Sequence, residues 1–92
     1  MDKVKRNRLK RRIAKMRLHP ANIKSQDLIR LAEALGREKS KRGKEPTYVS
    51  LLLPDNKPIS IPNHPGSLNK YTVGNILDAL ELDIFTLEEN LD

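Results

Sequence analysis

This sequence contains no cysteine and no tryptophan, and its 92 residues include one Phe, two Tyr and two His. The absence of cysteine excludes disulfides, thiolate metal sites and a cysteine nucleophile. The two histidines, His19 and His64, are too few for a histidine-rich metal cage. With so few aromatic residues, the core must be built from Leu, Ile and Val. The chain has room for one domain of modest stability.

Long apolar runs are also missing. No stretch approaches the 18 residues that a membrane-spanning helix needs, and the charged N-terminus lacks the apolar region of a secretory signal. We therefore expect a soluble, cytoplasmic protein with no membrane partner.

Positive charge is abundant but unevenly distributed. Residues 1–18 hold nine of the 18 basic residues and one acid, within a formal net charge of +6. A second basic run covers residues 37–44, whereas residues 78–92 contain six acids and no base. This distribution predicts a basic helical extension over residues 1–20, followed by a second unit over residues 23–92.

Three segments have apolar residues at helical spacing. The first covers residues 3–17. The second begins with Ser25 as its N-cap and has Gly36 at its C′ position. The third is capped by Thr72, and a separate short turn follows at residues 86–91.

Three short strands are predicted between the second and third helices, at residues 37–40, 48–53 and 59–61. Turn residues separate them, and the Pro-rich segment 62–66 is a loop. The order of elements predicts an α+β fold with helices on one face of an antiparallel sheet.

The basic first helix has several interpretations. Its Lys and Arg residues are candidate contacts to RNA phosphates, because clustered cations release counterions from nucleic acid. Alternatively, the helix is a solubilising extension whose apolar stripe packs on the domain or on a second copy of the chain. A third interpretation is that it docks on the acidic C-terminal segment, in the same chain or in another. The candidate RNA contacts are Arg8, Arg11, Arg12 and Lys15.

The turn after the first strand provides a second basic cluster, of Lys39, Lys41, Arg42 and Lys44 around Gly43. A glycine turn allows close approach to a phosphate backbone, which makes these residues candidate RNA ligands. A solvated hairpin tip would have the same composition.

Glu45 and His64 form the one carboxylate–imidazole pair that turns place at strand ends. RNA cleavage by its own 2′-hydroxyl needs a base, an acid and a cation for the phosphorane charge. Glu45 and His64 fit the base and acid, while Lys44, Arg42 or Lys70 fits the cation. The alternative is that His64 is a hydrogen-bonded anchor of its loop. Neither reading requires a metal or another cofactor.

Four segments together resemble the HicA toxins, the ribonuclease partners of HicB antitoxins in bacterial toxin–antitoxin modules. They are residues 25–36, 42–46, 59–66 and 72–80, with the sequences SQDLIRLAEALG, RGKEP, ISIPNHPG and TVGNILDAL. The similarity covers residues 23–91, and its most specific part is the Ile-x-Ile-Pro-x-His loop. Residues 1–18 lie outside the family pattern.

The resemblance implies a fold like that of the double-stranded-RNA-binding domain, with a helix, three strands and a helix. It also implies metal-independent cleavage of mRNA and neutralisation by a HicB-like antitoxin. The family's catalytic histidine follows a glycine in a Gly-x-His motif, whereas this chain reads Gly43-Lys44-Glu45. We therefore expect either a ribonuclease with Glu45 as base and His64 as acid or phosphate ligand, or a silent RNA-binding protein. An interaction protein that pairs with an antitoxin, or with itself through the first helix, is the third hypothesis.

Overall fold

The computed structural model describes residues 2–41 and 46–91. Six elements follow each other along the chain: α1 (Lys3–Leu18), α2 (Ser25–Ala34), β1 (Arg37–Lys39), β2 (Thr47–Ser50), β3 (Ile59–Ser60) and α3 (Lys70–Leu91). The strands form one antiparallel sheet in the order β1-β2-β3. The α+β fold and the helix–three strands–helix order from α2 to α3 are thus confirmed.

The sheet register sets which strand residues face the helices. Arg37 lies opposite Ser50, and Tyr48 lies opposite both Lys39 on β1 and Ile59 on β3. Because side chains alternate along a strand, this places Arg37, Tyr48, Ser50 and Ile59 on one face, and all four are buried. Helices α2 and α3 contact each other and the sheet.

The core is almost entirely aliphatic, as the composition predicts. Each of the three helices contributes to it, and α1 does so through Leu9 and Ile13, which are 3% and 1% exposed. The helix that the charge pattern separates from the rest of the chain therefore shares one core with it. Among the residues that the structure describes, no helix is both long and apolar enough to cross a membrane.

Helix α2 begins one residue earlier than its predicted cap implies. Ser25 is its first residue rather than its N-cap, because Lys24 occupies the cap position and donates its backbone N–H to the Asp27 carboxylate at 3.0 Å. At the other end, Gly36 has the positive φ of 87° expected at C′. The hydroxyl of Ser25 is thereby free to bond elsewhere.

Helix α3 differs from its prediction at both ends. The side-chain oxygen of Asn69 accepts the backbone N–H of Tyr71 at 2.7 Å and caps the helix, so Thr72 is an interior residue. The predicted separate turn at residues 86–91 is wrong, because Thr86 donates its hydroxyl to the Leu82 carbonyl and the helix continues. Strand β2 ends at Ser50, whose hydroxyl accepts the Leu53 N–H and turns the chain.

Candidate nucleic-acid interface

The loop that contains His64 is held by the first residue of α2. The buried hydroxyl of Ser25 donates to the Pro62 carbonyl and accepts the backbone N–H of His64 at 3.2 Å. On the far side of the loop, the Ile23 carbonyl accepts the Leu68 N–H at 2.8 Å. The two bonds to Ser25 and the bond to Ile23 hold both ends of the loop against the start of α2, so the loop backbone has little freedom to move.

The His64 side chain is exposed, and one of its ring nitrogens is engaged. Its Nδ1 accepts the backbone N–H of Gly66 at 3.1 Å. An imidazole nitrogen that accepts a hydrogen bond carries no proton, so in the neutral ring the proton is on Nε2. The loop therefore presents a hydrogen-bond donor to solvent in a fixed orientation.

Strands β2 and β3 bring a further backbone segment to this loop. The Pro46 carbonyl accepts the Ile61 N–H at 3.1 Å, which continues the β2–β3 pairing beyond the strand ends. Ile61 is three residues before His64. The backbone that follows Glu45 therefore lies beside the backbone that leads into His64. The predicted site residues Arg42, Lys44 and Glu45 themselves lie outside the described residues.

The cations of α1 divide into two groups according to the neighbouring helix. On the α3 side, Arg17 bonds Asp78 at 2.6 Å and Glu81 at 2.5 Å, and Lys10 bonds Glu88 at 2.6 Å. The hydrogen bonds to Asp78 and then Glu81 raise the pKa of Arg17 above its ordinary value. The interpretation in which α1 docks on the acidic segment of its own chain is therefore correct for these two residues.

The second group of cations lines the groove between α1 and α2. Near the N-terminus of α1, Arg8 and Arg12 line it together with Ala34 of α2. Towards the other end, Arg12 and Lys15 border a volume of about 450 Å³. Within the described residues, no carboxylate forms an ion pair with Arg8, Arg12 or Lys15. We call this set, Arg8, Arg12 and Lys15, the basic row.

The basic row ends near the His64 loop. The wider part of the groove is also lined by His19 and by Ile23 and Asp27, from the start of α2. Ile23 is the residue whose carbonyl holds the His64 loop. Ile23 therefore contacts both the groove of the basic row and the backbone of the loop that contains His64. The steps from Arg8 to Arg12 and from Arg12 to Lys15 are four and three residues, so these cations are spaced about 6 and 4.5 Å apart along the helix axis.

The remaining predicted RNA contacts are distributed over three elements of the chain. Arg11 is on α1, Lys39 ends β1 and Lys41 follows it, and all three are exposed. Lys70 is the first residue of α3, and its ammonium lies 5.6 Å from the centre of the Tyr71 ring. Within residues 2–41 and 46–91, no three His, Cys, Asp or Glu side chains gather as metal ligands would.

Some important residues were missed at the sequence level. The sequence predicts no site role for His19, and it predicts Ser25 only as a cap. Arg37, which the sequence places in the second basic run, is 2% exposed and bonds both carboxylate oxygens of Asp83, at 2.6 and 2.8 Å. One signal could have revealed this pair: Asp83 continues the apolar spacing of Ile76 and Leu80 on α3, so it faces the core.

Comparisons with protein-family models, with curated proteins and with solved structures find no match to this chain.

Proposed function

We propose that this chain is a HicA-like toxin of a bacterial toxin–antitoxin module, which binds mRNA in the cytoplasm and cleaves it without a metal. The observation that carries the proposal is that the His64 loop is bonded to Ile23, which lines the groove of the basic row, and follows the end of the β2–β3 pairing. An RNA strand bound to the basic row would extend towards the imidazole of His64. The resemblance in residues 23–91 supplies the reaction class.

The proposed reaction is attack of a ribose 2′-hydroxyl on the adjacent phosphate. Glu45 takes the hydroxyl proton as base, and the O–P bond to the 5′-oxygen of the next nucleotide breaks. As the acid, His64 enters this step as an imidazolium, which requires the Gly66 N–H to leave Nδ1; it then donates its Nε2 proton to that leaving oxygen and becomes the neutral ring. As a phosphate ligand it instead keeps the Gly66 bond, donates a hydrogen bond from Nε2 to a phosphate oxygen, and water protonates the leaving oxygen. The products are a 2′,3′-cyclic phosphate and a free 5′-hydroxyl. Arg42 and Lys44 balance the phosphorane charge.

The Pro46–Ile61 backbone bond supports the pairing of Glu45 with His64. Pro46 follows Glu45 directly, and Ile61 precedes His64 by three residues. Two side chains that act on one phosphate need backbones that lie close together. The Pro46–Ile61 bond brings the residue after Glu45 close to the strand end that leads into His64.

Cleavage is tested with purified, partner-free protein, end-labelled single-stranded RNA and EDTA in the buffer. We expect fragments that end in a 2′,3′-cyclic phosphate, and none from the same strand built with 2′-deoxyribose. Glu45→Ala and His64→Ala should both abolish cleavage. Asn63→Ala, in the same exposed loop, and Glu38→Gln, an exposed acid of β1, are the matched controls. Unchanged cleavage in both active-site variants would refute the assigned roles.

Binding is tested separately through the basic row. Replacing Arg8, Arg12 and Lys15 by Gln should weaken RNA binding and reduce the slope of log K against log salt by about 2, at roughly 0.7 per phosphate contact. Replacing the exposed Lys3, Arg30 and Lys57 by Gln removes the same charge elsewhere and is the control. Equal losses in the two triple variants would show that only net charge matters.

One observation favours a second candidate, a HicA-like protein that binds RNA but does not cut it. The Nδ1–Gly66 bond gives His64 a structural role as an anchor of its own loop. This candidate predicts salt-dependent RNA binding that requires the basic row, with no cyclic phosphate formed under any condition. The cleavage assay therefore separates the two.

The resemblance also makes a HicB-like antitoxin the proposed partner. A protein that neutralises the toxin would cover the His64 loop. Its binding should then be weakened by His64→Ala or Asn63→Ala, and RNA should compete with it. A partner that binds equally well in the presence of saturating RNA would contradict a shared site.

A further inference from the structure

The surface shared by α1 and α3 has an open groove on the side away from the basic row. The groove encloses about 390 Å³, and its lining combines the apolar side chains of Ala14, Ile84 and Phe85 with two ion pairs, Lys10–Glu88 and Arg17–Glu81. Phe85 is 58% exposed, and Leu82, one turn before it, is 54% exposed. A Phe and a Leu exposed beside an apolar groove form a surface of the kind that a protein partner covers.

The charges around this groove favour a protein partner over a nucleic acid. Glu81 and Glu88 line it on α3, Asp78 binds the lining residue Arg17, and Glu89 next to Glu88 is exposed. Asp78 and Glu81 share a single cation, Arg17, so this end of α3 keeps a net negative charge. It would repel phosphates and attract a basic segment.

The chain itself carries an exposed cation on α1, close to the groove residue Ala14 in the helix. Arg11 is exposed, lies three residues before Ala14 and therefore on the same side of α1, and forms no ion pair within the described residues. The α1–α3 face, which we define as Arg11, Ala14, Asp78, Leu82 and Phe85, therefore has a basic half on α1 and an acidic half on α3. When two copies of such a surface face each other, the basic half of each can lie against the acidic half of the other.

We propose that a second copy of this chain covers the α1–α3 face in a dimer with two-fold symmetry. The ion pairs Lys10–Glu88 and Arg17–Glu81 set α1 and α3 antiparallel, with Ala14 and Phe85 near the midpoint. A two-fold axis perpendicular to the face at this midpoint lays α1 of each copy on α3 of the other. Such an interface is isologous, so every favourable contact occurs twice.

The register of this dimer follows from the helical rise of about 1.5 Å per residue. Arg11 is placed beside the partner's Glu81, whose charge is only partly balanced by the partner's Arg17. Phe85 is placed near the axis, where it fills the partner's groove beside the small side chain of the partner's Ala14. The proposal does not depend on RNA binding, since the basic row and the His64 loop lie on other surfaces.

The dimer is tested by sedimentation velocity of the full chain over about a hundredfold range of concentration, because association depends on mass action. We expect a reversible monomer–dimer equilibrium that weakens with salt. Phe85→Glu should weaken it by about tenfold or more, as for a residue at the centre of an interface. Tyr71→Glu is the control: Tyr71 is 73% exposed on the same helix, about 21 Å away. Far-UV circular dichroism verifies that both variants are folded.

A charge-swap experiment then tests the register. Arg11→Glu and Glu81→Arg should each weaken self-association, because each places like charges together. Mixed in equal amounts, the two variants should form a heterodimer in which both charge pairs are restored. A wild-type chain that stays monomeric throughout, a dimer that Tyr71→Glu disrupts and Phe85→Glu does not, or a mixture that fails to associate would each overturn the proposal.

Discussion

Two arginines bind carboxylates of α3 from opposite sides, and they differ in solvent exposure. Arg37, on β1, bonds both oxygens of Asp83 inside the core, where Asp83 is 0% exposed. Arg17, on α1, bonds Asp78 and Glu81 on the surface. The distances are similar, 2.5–2.8 Å, so geometry alone does not distinguish the pairs.

The comparison teaches that burial decides what an ion pair does. The buried pair is fully satisfied: Arg37 also donates to the Tyr48 carbonyl at 2.9 Å, and Asn56 donates to Asp83 at 2.9 Å. Loss of one partner would leave a charge in a medium that cannot solvate it. The exposed carboxylates bound to Arg17 would simply be hydrated. The Arg37–Asp83 pair joins β1 to α3 inside the core, and the Arg17 pairs join α1 to α3 at the surface.

The largest effect is expected from Asp83→Ala. The Arg37 guanidinium would remain buried without a counterion, which should lower the free energy of unfolding by about 3–5 kcal/mol. Urea unfolding followed by circular dichroism measures the loss. Replacing both residues, with Arg37→Met and Asp83→Leu, should recover most of it, since an apolar pair needs no counterion. If Asp83→Ala lowered the free energy of unfolding by less than about 1 kcal/mol, water would have access to the Arg37–Asp83 pair.

The next prediction asks what holds α1 in place. Ile13→Ala should cost about 2–5 kcal/mol, because its side chain is buried in the core. Val4→Ala, on the same helix but 68% exposed, is the control and should change the stability little. If Ile13→Ala were as mild as the control, the ion pairs to α3 and not the apolar stripe would anchor α1.

A smaller effect is expected at the edge of the buried pair. Asn56→Ala removes one hydrogen bond to Asp83 and leaves both bonds from Arg37, so the cost should be about 1 kcal/mol. The same urea titration measures it, with the exposed neighbour Asp55→Ala for comparison. A cost as large as that of Asp83→Ala would mean that the three groups form one indivisible unit.

The smallest effect is expected from Arg17→Gln. An exposed ion pair contributes at most about 1 kcal/mol, and salt screens it. The difference from the wild type should therefore be measurable at low ionic strength and vanish at high salt. A loss that persists in high salt would indicate that the aliphatic part of Arg17 packs on α3 and matters more than its charge.

Much of the fold was predictable because apolar periodicity and breakers act locally. The spacing of Leu9 and Ile13 predicts α1, and Gly36 marks the end of α2, since these signals depend on neighbouring residues alone. The errors arise where a competing local signal exists. Thr72 and Asn69 are both N-cap residues, but Asn is the better of the two, and the Asn69 side chain accepts the Tyr71 N–H.

The candidate site was predictable only in part. His64 was identified from its motif, but its loop is fixed by Ser25, a residue 39 positions away in the sequence. The basic residues of α1 were identified as a group. The sequence did not predict which of them pair with α3 and which line the α1–α2 groove, because this depends on the side of α1 against which each helix packs.

The sequence by itself determined the aliphatic core, the α+β order of elements and the concentration of positive charge in the first helix, because composition and periodicity are properties of the chain. Only the tertiary structure decided which charges are balanced. Arg37 was paired with Asp83 in the core, Arg17 with the acids of α3, and the basic row was left open beside the His64 loop. The physical reason is that the effect of a charge depends on its surroundings, which folding assembles from distant parts of the chain.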